Sequence, residues 1–242
     1  MRQRPGRELR AHELITYDSH KTLKGEKLGY LSGIMYLSPA GESGQNMCFW
    51  SSPLCRRWCL RRAGKMRFDS ARKARIDRTR FFLYNRQQFR RRLSSEILAF
   101  SRRAQREGFR KVVIRLNGTS DVPWESVYPD LFPEFPMVQF MDYTKSPQRA
   151  RAFARGEMPD NYHLTFSLSE TRESEECALG LLALGVNVAA VFGEPPDLWR
   201  DYPVIDGDRN DLRFLDPRPA VVGLSPKGIA AADLVKAGGF IR

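Results

Sequence analysis

Lys111-Val-Val-Ile-Arg-Leu-Asn-Gly-Thr-Ser-Asp121 decides the fold of this 242-residue chain. Val112 to Leu116 is a branched, apolar run of strand length, and it ends in a tight tip of hydrogen-bonding residues around Gly118. From here the chain repeats strand, polar tip, helix. Met137 to Met141 is a strand ending in Asp-Tyr-Thr-Lys145. The next helix takes Ser146 as its cap and Pro147 in its first turn, and stops at Gly156. His163 to Leu168 is a strand ending at Ser169 and Glu170, where Ser169 is expected to cap a helix of about four turns running to Gly185. Asn187 to Phe192 is the next strand. Apolar runs at Tyr202 to Ile205 and Ala220 to Leu224 precede a last helix from Ile229 to Ala237.

Strands alternating with helices predict parallel βαβ units. About six or seven such units predict an α/β fold, a full or partial (β/α) barrel of parallel strands, with chemistry at their carboxyl ends.

Upstream, Gly29 to Leu37 has the aromatic and branched content of a first strand. Residues 1–27 read as an irregular arm and 28–242 as one barrel-like domain, a length such barrels reach as single domains. Helices are expected over residues 70–84 and 86–107. In the second, Phe89, Leu93, Ile97, Phe100 and Ala104 form an apolar stripe at helical spacing. Asn85, with Gln88 after it, is the expected cap, and Gly108 the stop.

Between first strand and first helix lies Asn46-Met-Cys-Phe-Trp-Ser-Ser-Pro-Leu-Cys-Arg-Arg-Trp-Cys-Leu60. Three of only four cysteines stand in this loop, at Cys48, Cys55 and Cys59. Clustered thiolates are the ligands of soft metal centres, whereas a disulfide would strand the third. Met1 to Lys27 is polar and resembles no secretory signal, so a reducing cytoplasmic setting is expected, where such clusters read as metal sites. A closed zinc site needs a fourth ligand, and His12, His20 and His163 are all distant in sequence. An iron–sulfur cluster, of 4Fe-4S type, held by three thiolates with one iron open, fits the count; zinc is the alternative. Cys177 sits in an apolar helical pattern and reads as core packing.

The net charge is +12, and it is concentrated. Between Arg56 and Lys111, a basic helical segment, stand 20 lysines and arginines against Asp69, Asp77, Glu96 and Glu107. Such density favours nucleic acid or another phosphate-rich partner through counterion release. Arg91, Arg102 and Arg106 flank the apolar stripe and are the expected phosphate contacts. No run is long and apolar enough for a membrane span, and no feature bears on oligomeric state.

The strand ends offer Asp121, Asp142 and Lys145 as candidates for substrate or proton contacts.

Together, the cysteine loop, Leu116-Asn-Gly-Thr-Ser-Asp121, Asp142-Tyr-Thr-Lys145, Tyr162-His-Leu-Thr-Phe-Ser167 and Asp211-Leu-Arg-Phe-Leu-Asp216 resemble the gene product 88 domain of phage and plasmid proteins. The likeness runs from about Lys21 to Ile241 and brings no activity with it. The chain is more distantly similar to radical S-adenosylmethionine enzymes, whose three cysteines follow the first strand of a partial barrel. An aromatic residue precedes their last cysteine, as Trp58 does here. That resemblance implies S-adenosylmethionine as a cofactor, held by Asn117, Gly118 and Thr119 at its methionine end and by Ser167 or Ser169 near its ribose. The reading that follows is a radical S-adenosylmethionine-type enzyme acting on a nucleic-acid-related substrate. The alternative is a non-enzymatic, metal-stabilised nucleic-acid-binding protein.

Overall fold

A computed structural model describes residues 13–17, 24–227 and 238–242. Among these, nine strands form one sheet: β1 (Ile15–Thr16), β2 (Tyr30–Met35), β3 (Lys111–Arg115), β4 (Val138–Thr144), β5 (Tyr162–Ser167), β6 (Val188–Val191), β7 (Leu198–Trp199), β8 (Tyr202–Asp206) and β9 (Val221–Leu224). The helices are α1 (Pro53–Arg57), α2 (Asp69–Tyr84), α3 (Arg86–Arg106), α4 (Trp124–Val127), α5 (Leu131–Glu134), α6 (Pro147–Ala154) and α7 (Arg172–Ala183). The expected helix at Ile229 to Ala237 lies outside the described residues, as does most of the arm.

The sheet order is β1-β2-β3-β4-β5-β6-β9-β8-β7. From β2 to β8 every neighbouring pair is parallel, while β1 and β7 pair antiparallel at the two ends. This is a mixed α/β domain with a mostly parallel sheet. The order is sequential as far as β6, and then β9 inserts between β6 and β8. Composition explains the insertion. In β9, Val221, Val222 and Gly223 are all buried, whereas β8 carries Pro203 and is only half-buried. Proline, which cannot donate to a ladder, belongs towards a sheet edge.

Alternation along the strands divides the sheet into two chemically distinct faces. One face sends Leu31, Met35, Val112, Ile114, Phe140 and Leu164 against the α3 stripe of Phe89, Leu93, Ile97, Phe100 and Ala104. Gly33 is required on this face, because a Cβ there would stand 2.5 Å from Ile15 Cγ2. The other face has a small apolar patch of Tyr30, Val113, Met141 and Leu212. Beyond it the face turns polar: the Arg115 guanidinium lies 4.6 Å over the Tyr143 ring and reaches Asp211 Oδ2 at 3.1 Å.

Three local expectations need correction. Residues 13–17 are not irregular: Leu14 and Ile15 enter the core, and both backbone N–H groups donate to Glu96 of α3. Asn85 makes no side-chain cap; α3 starts with its carbonyl accepting from Phe89 N. The cap of α7 is Thr171, whose hydroxyl accepts from Ser174 N, not Ser169. Ser146 does cap α6, accepting from Arg149 N.

Ile97 is fully buried in α3 while Arg91 is exposed. Ile97→Ala should cost about 2–5 kcal/mol in a denaturant titration, through reduced burial and the cavity left behind. Arg91→Gln on the same helix should stay within about 0.5 kcal/mol of wild type.

Candidate functional site

At the carboxyl ends of the parallel strands the chain encloses a cavity of about 210 Å³, far more than one water needs. Its walls come from several strand ends: Arg115 of β3 with Thr119 and Asp121 beyond it, Tyr143 of β4 with Lys145 beyond it, and Ser167 of β5. Asp208 follows β8, and Ser225 and Lys227 follow β9. Cys48, Cys55 and Cys59 complete the wall from the cysteine loop.

Backbone and side-chain hydrogen bonds stitch this loop to the β3 tip. Gly118 N donates to Met35 O at 2.9 Å, Thr119 Oγ1 to Leu37 O at 2.6 Å, and Asp121 N to Met47 O at 2.8 Å. The Cys48 thiol donates to Thr119 O at 3.4 Å. A side chain at position 118 would collide with the Tyr36 ring at 2.5 Å, so glycine is needed for this close approach. Across the cavity, Glu170 anchors α1. Its Oε1 accepts from Leu54 N at 3.0 Å and its Oε2 accepts from the Ser52 hydroxyl, which itself accepts from Cys55 N. A third tie comes from α2, where buried Arg75 clasps Glu42 at 2.7 and 2.8 Å and also donates to Met66 O. Arg75 and Arg61 hold the Glu42 carboxyl below the usual range, against the upward push of burial.

Burial pushes the thiols up. Cys48 rises to about 12, with Cys59, Asp121 and Cys55 adding to the effect, and Cys55 and Cys59 are raised too. Protons therefore stay on all three at neutral pH unless a cation replaces them. Lys145 is the positive charge that most draws the Cys55 thiol down: burial lowers its own pKa, while Cys55, Asp121, Glu170 and Cys48 pull the other way. Its ammonium donates to Ser167 O and Oγ, both at 3.0 Å, and to Leu168 O at 2.9 Å, using all three protons to clamp β4 onto β5. Asp121 is held in turn. Arg149 donates to one of its oxygens at 2.6 Å and Lys145 N to the other at 2.8 Å. Among the described residues, no three His, Cys, Asp or Glu side chains are arranged to hold a metal ion.

The expected site residues divide into two groups. Cys48, Cys55, Cys59, Thr119, Asp121, Lys145 and Ser167 come together on the cavity wall. Asn117, Gly118, Asp142 and Ser169 are not on that wall. Asn117 and Asp142 are instead buried scaffolding. Asp142 accepts from Asn117 N at 2.7 Å, Asn117 Nδ2 at 3.0 Å and Tyr162 Oη at 2.7 Å. Ser169 N donates to Ser174 Oγ at the start of α7.

His163 is no metal ligand in this arrangement. Its Nδ1 accepts from Arg218 at 2.6 Å, which leaves the proton on Nε2 facing Thr165, and burial lowers its pKa to about 3. His12 and His20 lie outside the described residues. Among the wall residues not expected from the sequence are Arg115 and Trp58. The signal for Arg115 was a charge directly after the apolar run Val112 to Ile114. Both carry a buried nitrogen without a partner among the described residues, Arg115 Nε and Trp58 Nε1.

Of the arginines expected to meet phosphate, Arg91, Arg102 and Arg106 are exposed on α3. Their neighbours Arg90 and Arg103 are partly buried and paired, Arg90 with Asp130 and Glu134 and Arg103 with Glu107.

A family model described as gene product 88 matches residues 11–238. No curated protein and no solved structure matches the chain.

Burial pushes Asp142 up to about 7, and its hydrogen bonds from Tyr162 and Asn117 only partly oppose this. Its folded-state pKa thus exceeds the ordinary carboxylate value near 4, so the folded protein holds the proton more tightly than the unfolded chain. The stabilisation is complete below about pH 4 and disappears as pH rises through 7. In urea titrations, stability relative to Asp142→Asn should fall by on the order of 2–4 kcal/mol over that window, on a pH-independent offset. A difference that is flat with pH would overturn this assignment.

Proposed function

The chain belongs to the gene product 88 family, and from that premise we propose that it is an iron–sulfur protein of radical S-adenosylmethionine type acting on a nucleic-acid-related substrate. One observation supports this reading above the others: Cys48, Cys55 and Cys59 line a single cavity at the carboxyl ends of parallel strands. The sequential order from β2 to β6, with the α3 stripe packed on one face, favours a sheet curved as a partial (β/α) barrel around that cavity.

The donor set fits a cluster better than a single ion. A closed zinc site would need four donors, whereas the three thiols on this wall match the count of protein ligands to a cluster with one open iron. Cys48, Cys55 and Cys59 would hold such a cluster, and when bound it would supply one-electron reduction of S-adenosylmethionine. The protein's own groups do the rest. Loss of three protons makes metal uptake pH-dependent, because the buried thiols hold them tightly. The Lys145 ammonium, which already draws the Cys55 thiol down, would offset part of the negative charge of bound thiolates. Thr119 and Ser167 offer hydroxyls on the wall, and Asp121, ion-paired with Arg149, is the carboxylate that raises the Cys48 thiol. A cytoplasmic protein of a phage or plasmid suits this chemistry, since thiolates persist in reducing surroundings.

A second reading rests on the exposed arginines of α3. A metal-stabilised, non-enzymatic nucleic-acid-binding protein would use Arg91, Arg102 and Arg106 on phosphates and the metal, iron–sulfur or zinc, as a staple.

Protein purified without oxygen should carry iron and sulfide. Replacing Cys48, Cys55 and Cys59 together with Ala should abolish both, while Cys177→Ala, whose thiol is buried in the α7 core, should retain them. Stoichiometric zinc without iron would sink the cluster reading.

For the arginines, exchanging Arg91, Arg102 and Arg106 for Gln should weaken DNA or RNA binding. The log–log salt slope should flatten by up to about one unit for each phosphate no longer neutralised. Equal affinity of wild type and triple variant in anisotropy titrations at two salt concentrations would remove α3 as the binding face.

A further inference from the structure

From Ser43 to Phe68 the chain contains no acidic residue and six lysines and arginines. Arg61 reaches Glu42 at 3.7 Å. The other five, Arg56, Arg57, Arg62, Lys65 and Arg67, are exposed and have no carboxylate partner among the described residues. Between these charges stand rings turned to solvent: Phe49 is 64% exposed, Trp50 46% and Phe68 53%. Large rings normally find burial, so three exposed within twenty residues ask for a ligand with flat apolar faces. The same segment supplies Ser51, Trp58 and Leu60 to the cavity wall, which brings the surface up to the cavity's rim.

We propose that this rim binds single-stranded nucleic acid, its phosphates on these arginines and Lys65 and its unstacked nucleobases on Phe49, Trp50 and Phe68. It names a substrate class for the cavity and to that extent rests on the reading above, though the binding itself requires no cluster. Charge alone would attract any polyanion. The rings add the preference, because stacking on an aromatic side chain needs a free base face that a duplex keeps covered. A membrane surface fits less well. Interfacial binding uses a continuous apolar helical face, and this segment folds as helical pieces of five, three and four residues separated by turns.

Anisotropy titrations with a labelled single-stranded oligonucleotide, and with the same sequence as a duplex, test the proposal on the full chain. Wild type should prefer the single strand. Trp50→Ala should weaken that binding on the order of tenfold and erase much of the preference. Exchanging Arg62, Lys65 and Arg67 for Gln should flatten the salt slope by about 0.7 for each phosphate no longer neutralised. Melting temperatures should hardly move, since all four side chains are exposed. Equal or tighter duplex binding, wild-type affinity in both rim variants, or sedimentation with phosphatidylserine vesicles but no oligonucleotide binding would each overturn the proposal. Iron content of the same preparations separates the two readings. Iron present without oligonucleotide binding removes the rim alone, and oligonucleotide binding by zinc-loaded protein removes the cluster alone.

Discussion

The side chain of Asn117 is the joint on which the candidate site hangs. Its Oδ1 accepts from Ser120 Oγ, Val122 N and Trp124 Nε1, and its Nδ2 donates to Val122 O and Asp142 Oδ2. Its backbone N–H takes the other Asp142 oxygen. An amide this saturated sets the path of the whole tip from residue 117 to 124. That path presents Met35, Leu37 and Met47 with their partners and turns Asp121 to Arg149. A buried amide stripped of such partners would cost the full desolvation of each group left unmade.

Around this joint the protein uses buried ionic groups to fix position. Arg75 with Glu42 and Arg149 with Asp121 and Glu125 are pairs almost without solvent contact. Such pairs add little net stability over apolar packing, and breaking one leaves an uncompensated charge. What they do here is geometric. Arg75 fixes the start of the cysteine loop, Glu170 caps the helix that carries Cys55, and Arg149 fixes the carboxylate facing them. The three thiols thus come from a segment with little apolar burial of its own, held from α2, the β3 tip and the β5 tip. These anchors place the three thiols on one wall although the segment has no core of its own.

The positive charge divides between two jobs. In the segment from Arg56 to Lys111, Arg75 is a buried structural cation and Arg78 donates to Glu13 O, while Arg90, Arg92 and Arg103 pair with carboxylates. Arg62, Lys65, Arg91, Arg102 and Arg106 face solvent. A count of charges in a sequence therefore overstates a binding face, since long basic side chains also serve as packing and as ion-pair partners.

The strand–helix alternation, the α3 stripe and the caps at Ser146 and Gly108 were legible in the sequence, because hydrophobic period and capping chemistry are local properties. So was the gathering of three cysteines, and the parallel sheet that follows from βαβ units. The insertion of β9 between β6 and β8 was not legible, since it depends on which strand best tolerates burial on both sides once all compete for the sheet. Nor were the separate fates of Asp121 and Asp142. Both are acids at strand ends, but side-chain direction sends one to the cavity and the other beneath Asn117 and Tyr162. Local sequence determined which elements form and where polar residues gather. Only tertiary structure decided which of those residues share a wall, because alternation, register and buried pairing are settled between segments far apart in the chain.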